Sequence, residues 1–483
     1  MHRIIAIALL VIGAVRIAST YEVFSETSDE PNHLTAGLQL LTDHEYSFER
    51  QNPPLPRLFM ALGPFLHGAR FDRTAGIAQI ASVFYSTGDY DSMRVLARAG
   101  TLIFFLIAAL ATWRWARREL GDAGALVTLA VFTTQPSVLG HAGLATLDSA
   151  NVAGVAVSLL ACSRWLERPN AARAALLGAA YGFSVLCKML CLAYVPAACA
   201  GVLAVRLLRG ERPRITTIAI VPPVAALVVA AGYAFRLDIF WSGLLQLLSV
   251  NREGFLSYAL GRTTTDGWWW YFPLTLALKT TLATLILLAI GFVVARRDRA
   301  FQSGVAAVAA MLILVLPTNV NIGIRYILPL YVPLSLAVGA TIMAAMRHRL
   351  LRYAGVLLVA WHLAASTLAH PDYLAYFNEL AGRDPSRYLI DSNLDWGQDM
   401  LRLRDVLREE KITKVGLNVM GPADPVRLGF PAHYHVQPWG AAKGWVAVSD
   451  HAYRMMRIEG GWRWLAGRPY RRVGKSIRLY YLP

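Results

Sequence analysis

Charge is scarce in this chain of 483 residues, and acid is scarcer than base: 31 Asp and Glu stand against 47 Lys and Arg, together 16% of the sequence. Cysteine is nearly absent. Cys162, Cys187, Cys191 and Cys199 all lie in or beside apolar runs and none lies in a long polar segment, so no disulfide framework is expected. The spacing of Cys187 and Cys191 would admit a metal, but small apolar packing residues suit this setting better. No small-residue cleavage site follows the first apolar run, 4–20; the next residues are Tyr21, Glu22, Val23 and Phe24. That run reads as a retained signal anchor rather than a cleaved signal peptide. Internal repeats and low-complexity segments are missing too. The net charge is +16, yet no basic domain or base-stacking motif accompanies it, which argues against nucleic acid. The basic residues sit in short loops, where they report topology and contact with anionic headgroups.

What is abundant is apolar sequence, 56% of the chain. A helix of about 20 apolar residues spans a bilayer. After 4–20, such runs cover about 95–113, 123–140, 147–163, 171–187, 189–207, 215–234, 272–295, 303–320, 326–346 and 353–369. Arginine marks alternate loops: Arg114, Arg117 and Arg118; Arg164 and Arg168; Arg206, Arg209, Arg212 and Arg214; Arg296, Arg297 and Arg299; Arg347, Arg349 and Arg352. The intervening turns, from His141 to Thr146 and from Pro317 to Gly323, hold no Arg or Lys. The positive-inside rule places the arginine loops in the cytoplasm, with the N-terminus inside and the C-terminus outside. The expected protein is a polytopic α-helical membrane protein of about 11 transmembrane helices (1–369). Its outer loops are 21–93 and about 235–271. A small extracytoplasmic α/β domain follows (370–483). In that domain, 400–410 has helical periodicity, and 414–419, 444–448 and 476–482 alternate as strands.

Chemistry concentrates in the first outer loop. Asp29-Glu30 and His33 stand just past the first run, Gly37 lies in a short amphipathic helix, and Arg50-Gln51-Asn52-Pro53-Pro54-Leu55-Pro56-Arg57 follows. This pattern resembles the first loop of GT-C glycosyltransferases, closest to the protein O-mannosyltransferase-like and aminoarabinose-transferase-like branch. Asp148, Lys188, Lys279 in Leu278-Lys279-Thr280, and Arg325-Tyr326 extend the likeness more loosely. Residues 391–399, Asp-Ser-Asn-Leu-Asp-Trp-Gly-Gln-Asp, are similar to a motif of uncharacterised bacterial members. The resemblance implies a multi-pass enzyme of the bacterial inner membrane, with its C-terminal domain periplasmic. It would take a sugar from a polyprenyl phosphate on the outer face. One departure stands out: aminoarabinose transferases carry Glu-Lys before Pro-Pro-Leu, where this chain has Gln51 and Asn52. Arg50 or Arg57 would have to stand in for the phosphate-binding lysine.

Such a transfer needs a base for the acceptor hydroxyl, cations for the leaving phosphate, and anchorage of the lipid tail in the bilayer. The resemblance assigns the base to Asp29, with an apolar setting expected to raise its pKa. Glu30 is expected beside it in catalysis or as a metal ligand. His33, Arg57, Asp148, Lys188, Lys279, Arg325 and Tyr326 are expected to bind substrate. Each has a plainer reading. Asp29 could cap a helix, and Asp148 or Thr146 another. His33 could lie on a helix surface, and Lys188 and Arg325 could snorkel to headgroups. Lys279 lies too deep in its run for that. Trp268-Trp269-Trp270 reads as an interfacial belt, and Asp395-Trp396 as a helix cap with a packed tryptophan. No cofactor is required, and a divalent metal is left open because Asp29, Glu30 and Asp148 could converge. A transporter or flippase of lipid-linked sugars is the alternative; it would be expected to show internal repeats and broken helices at mid-membrane.

Overall fold

Apolar sequence in a bilayer must satisfy its backbone internally, and helices do so. The computed structural model, which describes every residue but Arg214 and the side chain of Ile77, has a helix on every apolar run. Arg214, one of the loop arginines above, lies outside the described residues. The helices are His2–Ala18, Leu102–Thr133, Asp148–Glu167, Ala171–Cys187, Cys191–Leu208, Val221–Gly232, Tyr271–Lys279, Leu282–Val294, Arg299–Val315, Tyr331–Ala345 and Arg349–Leu368. Gly121, at φ 73°, breaks Leu102–Thr133 into an antiparallel pair, so that Phe105 stacks on Phe132 with ring centroids 6.4 Å apart. By length and composition six helical stretches among the described residues can cross a membrane. The number is seven if Tyr271–Lys279 and Leu282–Val294, which meet at 109°, count as one. The apolar runs gave about eleven. The difference arises because His2–Ala18, Ala171–Cys187 and Arg299–Val315 are only 17 residues each and because Gly121 folds two runs into one helical stretch.

The first outer loop is largely helical. Glu30–Asp43 and Pro54–Leu66 pack face to face, followed by a 3-10 segment Gly76–Tyr85 and the helix Tyr90–Ala99. Pro54 and Pro31 sit in first turns, where a missing N–H costs nothing. Gly37 makes the close approach possible: a Cβ there would stand 2.2 Å from the Arg57 carbonyl oxygen.

In the second outer segment, β1 (Ser257–Ala259) and β2 (Arg262–Thr264) form a hairpin. The C-terminal sheet holds β3 (Lys414–Asn418), β4 (Ala432–His435), β5 (Gly444–Ser449), β6 (Arg471–Val473) and β7 (Ile477–Leu482), in the order β4-β3-β5-β7-β6. β3 runs parallel to β4 and β5, while β7 is antiparallel to β5 and β6. The expected strands at 414–419, 444–448 and 476–482 match β3, β5 and β7, and the helix expected at 400–410 is Met400–Glu409. Alternation along β5 feeds both faces. Ala447 joins Leu403 and Leu407 on the side of Met400–Glu409, and Val446 and Val448 join Tyr453 of the helix Asp450–Ile458 on the other. Asp395 does not cap Met400–Glu409; the residue at that position is Asp399, and the Asp395 carboxylate instead accepts from the His451 backbone N–H at 2.7 Å.

Residues between the last membrane helix and Met400 lie along the helical module. Asn378 donates to the carbonyls of Ala277 (2.6 Å) and Thr280 (2.7 Å). Gly37→Ala is expected to destabilise the purified chain by about 1–3 kcal/mol through overpacking, read as a lower melting temperature. An unchanged transition would mean that Glu30–Asp43 and Pro54–Leu66 do not need this contact.

Candidate active site

Asp29 is the residue at the N-terminal boundary of Glu30–Asp43, but its carboxylate makes no capping bond. It pairs with the guanidinium of Arg325, 296 residues away in sequence. Arg325 sits in the short 3-10 turn Ile324–Tyr326. That turn is set up by Gly323, whose φ of 152° is open to glycine and where a Cβ would strike Ser392 Oγ at 2.1 Å. The Asp29–Arg325 pair lines a cavity of about 230 Å³. The first loop contributes Asp29, His33, Glu49, Gln51 and Asn52 to its wall; Asp148, Lys188, Arg325 and Tyr326 come from elsewhere in the helical module. Leu247, Val250, Phe255, Val320 and Ile322 supply apolar surface.

A second ion pair lies in the same wall. Lys188 Nζ donates to Asp148 Oδ1 at 2.7 Å, and Thr146 donates to Oδ2 at 3.0 Å. Asp148 is the first residue of its helix and makes no cap bond for it. Tyr326 joins the two pairs: its ring lies 5.3 Å from Lys188 Nζ and 5.7 Å from Arg325 Cζ. Its phenol O–H can donate a hydrogen bond at the cavity. The two cations are thus each neutralised by a carboxylate, and Arg325 still holds a buried Nε–H with no partner. A donor of that kind suits an incoming anion.

Three predicted residues are placed away from the cavity wall. Glu30 is fully buried and saturated: Arg98 donates to both of its oxygens at 2.8 Å, and the backbone N–H groups of Ala145 (2.8 Å) and Thr27 (2.7 Å) fill the rest. Burial acts to raise its pKa, but Arg98 outweighs that and holds the carboxyl below its usual range. Arg57 is also fully buried. It donates to Glu49 (2.6 Å), the Phe48 carbonyl (2.9 Å), Tyr46 Oη (3.0 Å) and His33 Nδ1 (3.2 Å). It holds the 46–49 turn and fixes the ring of His33, and Arg50 donates to Ser242 at 3.3 Å. Neither arginine replaces the absent lysine in the wall, while Gln51 and Asn52 do line it. Lys279 donates to the carbonyls of Leu374 (2.8 Å) and Asn393 (2.5 Å), with its Nζ 4.4 Å from the Phe377 ring. It ties the broken span to the segment after the last membrane helix. Asp29, Glu30 and Asp148 each face their own cation, and no group of three His, Cys, Asp or Glu side chains gathers among the described residues.

The sequence reading passed over His141, Glu49 and the part played by Trp396. Trp396 is buried with its ring 4.5 Å from Arg325 Cζ and 6.2 Å from the His141 ring, edge to face. His141 Nδ1 lies 3.7 Å from Asp148 Oδ2, and both ring nitrogens are buried without a hydrogen bond. Contacts therefore close a loop: Arg325, Trp396, His141, Asp148, Lys188, Tyr326 and back to Arg325. The one sequence sign of His141 was an imidazole in a turn without arginine or lysine, seven residues before Asp148. Trp396 belongs to the 391–399 motif, which also holds the first loop. Ser28 N–H donates to the Trp396 carbonyl (3.1 Å) and Ser25 N–H to that of Gln398 (3.0 Å), while Asn393 Oδ1 accepts from Ile324 N–H at 2.9 Å.

Burial, with Arg57 second, holds His33 well below its usual range, and burial pushes His141 down to about 3. Both rings are neutral in the folded chain, whereas an unfolded histidine titrates near 6.5. As pH falls through about 6.5 the unfolded chain takes up protons that the folded one refuses. Stability then declines by about 1.4 kcal/mol per pH unit per residue until the folded group also titrates. The melting temperature is expected to drop between pH 7 and pH 5, and His141→Asn should flatten that slope. An identical slope in the variant would contradict a neutral, buried His141.

Two comparisons bear on this geometry. A family model described as dolichyl-phosphate-mannose-protein mannosyltransferase matches residues 76–234. No curated protein matches the chain. Among solved structures, ArnT from Cupriavidus metallidurans bound to undecaprenyl phosphate is similar at 13% identity and TM-score 0.51, covering 98% of this chain and 97% of that one. The apo form of the same protein gives 12% identity and TM-score 0.53 over the same shares. Over almost its whole length the chain has the fold of ArnT, in agreement with the resemblance read in the first loop.

Proposed function

We propose that this chain is an inverting glycosyltransferase that moves a sugar from a polyprenyl phosphate to an acceptor hydroxyl. The single observation that carries the reading is the meeting of Asp29 and Arg325 in one cavity, beside the Asp148–Lys188 pair. ArnT, whose fold this chain shares, was crystallised with undecaprenyl phosphate. On this reading the donor phosphate docks against Arg325 and Lys188, and the guanidinium shifts its pairing from Asp29 to the phosphate. The freed carboxylate takes the acceptor's proton as its oxygen bonds to the anomeric carbon. The bond from that carbon to the phosphate oxygen breaks, and its electron pair leaves on the phosphate, where the two cations stabilise it. Attack opposite the leaving group inverts the centre. His33, held by Arg57, and the Tyr326 phenol orient the groups around it. The apolar wall of Leu247, Val250 and Phe255 receives the first isoprenoid units. Arg57 and Lys279 act by holding this wall, and Glu30 by holding Asp29.

On this reading the protein sits in a bacterial inner membrane with its N-terminus in the cytoplasm and the cavity on the periplasmic face, an orientation that the arginine loops support. The C-terminal α/β domain stands on that same face. The acceptor is a protein, lipid or glycan hydroxyl.

Asp29→Asn tests the reading. Sugar transfer from a panel of polyprenyl-phosphate sugars should fall by about 10²–10⁴-fold, while binding of the polyprenyl phosphate itself is kept. Retention of transfer would reject Asp29 as base, and transport of lipid-linked sugar without transfer would favour a flippase. Trp396→Leu should weaken the hold on Arg325 and raise the donor KM by about tenfold, whereas Trp396→Phe should keep most of it. Equal effects of the two variants would remove the aromatic contact from the mechanism.

A further inference from the structure

A second polar cavity lies at the far end of the helix Asp148–Glu167, which begins at the first. From Asp148 to Arg164 the helix rises about 24 Å, which puts Arg164 near the opposite membrane face. There Arg164 meets Arg114, Arg117 and Arg118, which come from the end of the helical half that Gly121 terminates. These four arginines and Leu160 line a cavity of about 410 Å³.

The charge in this cup is not balanced. Arg117 pairs with Asp122 and Arg118 with Glu167, but among the described residues Arg114 and Arg164 are matched by no carboxylate. Arg164 also buries an Nε–H that has no hydrogen-bond partner. Two uncompensated guanidinium groups on the wall of one open polar cavity favour an anion between them. The planar fork of arginine fits a phosphate through two parallel hydrogen bonds. Packing gives the cup its shape, since its walls come from two separate membrane helices. Arg114, Arg117 and Arg118 are exposed like Arg349 and Arg352, which begin another helix; what sets the cup apart is Arg164, half-buried and lining one cavity with the other three.

We propose that the Arg114–Arg117–Arg118–Arg164 cup binds a phosphate group, supplied either by an anionic phospholipid headgroup or by free phosphate. Basic pockets between membrane helices are suited to such headgroups. The site is separate from the proposed sugar-transfer centre and stands or falls without it.

The full-length chain, purified in detergent, would be titrated with phosphatidylglycerol, phosphatidylcholine and inorganic phosphate while bound ligand is counted by native mass spectrometry. Preferential retention of one phosphatidylglycerol over phosphatidylcholine assigns a lipid headgroup. Displacement of that lipid by millimolar inorganic phosphate, but not by chloride, assigns the free anion as a competing source. Loss of two charge-assisted hydrogen bonds in Arg114→Gln/Arg164→Gln should weaken binding by about tenfold or more. The equally charged control Arg349→Gln/Arg352→Gln should leave it unchanged. Equal binding of phosphatidylglycerol and phosphatidylcholine to the unaltered chain would overturn the proposal whatever the variants do. An equal loss in both double variants would also overturn it, because surface charge alone would then account for the binding.

Discussion

One buried ion pair, Arg98 with Glu30, sets the geometry of the cavity. All five N–H groups of Arg98 are used: two on the Glu30 carboxylate and three on the carbonyls of Tyr21, Phe24 and Ser25. Glu30 in turn holds the backbone of Ala145, three residues before Asp148. A single contact therefore fixes the turn that presents Asp29 and the turn that presents Asp148. Desolvating such a pair is costly, and the pair is sustained only because every hydrogen-bonding group on both sides is filled. Removing either partner would leave the other charge buried and alone, and both acidic turns would loosen together.

The cavity wall repeats the theme with a difference. Asp29 with Arg325 and Asp148 with Lys188 are also carboxylate–cation pairs, but these border open volume, and the Arg325 Nε–H is unfilled. The first pair is closed and structural; the other two are open on one side. On the proposed reading, a phosphate that takes Arg325 from Asp29 leaves that carboxylate without its cation, at the border of the open volume. Trp396 and Tyr326 flank the Arg325 guanidinium and hold it where it can turn between two anions.

Much of this was legible in the sequence because it was local. The apolar runs gave the helices, the 29–57 pattern gave the first loop, and alternation gave three of the five strands of the sheet. Residue types at helix ends pointed to Asp148, Lys188 and Arg325, which do share one cavity with Asp29. Misplacements came from direction rather than from type. Asp29 and Glu30 are adjacent, and neighbours in a helical turn point to different sides, so one meets the cavity and the other the Arg98 network. Arg57 lies one turn into a buried helix, where its guanidinium faces inward to His33 and Glu49. Lys279 resisted a surface reading, and its partners are backbone carbonyls that carry no sequence signal. His141 and Trp396 were missed as wall residues because only tertiary folding brings them to Asp148 and Arg325.

The 391–399 strap sets the seam of the molecule. Its residues bond the first loop and the turn before Arg325, whereas Asp395 and Asp399 bond the sheet through His451, Lys475 and Ser476. A boundary drawn after the last membrane helix would give that strap to the sheet and take part of the cavity's support with it. Chimeras that exchange outer domains between relatives would be joined beyond residue 399, with the strap travelling alongside the helices it was matched to.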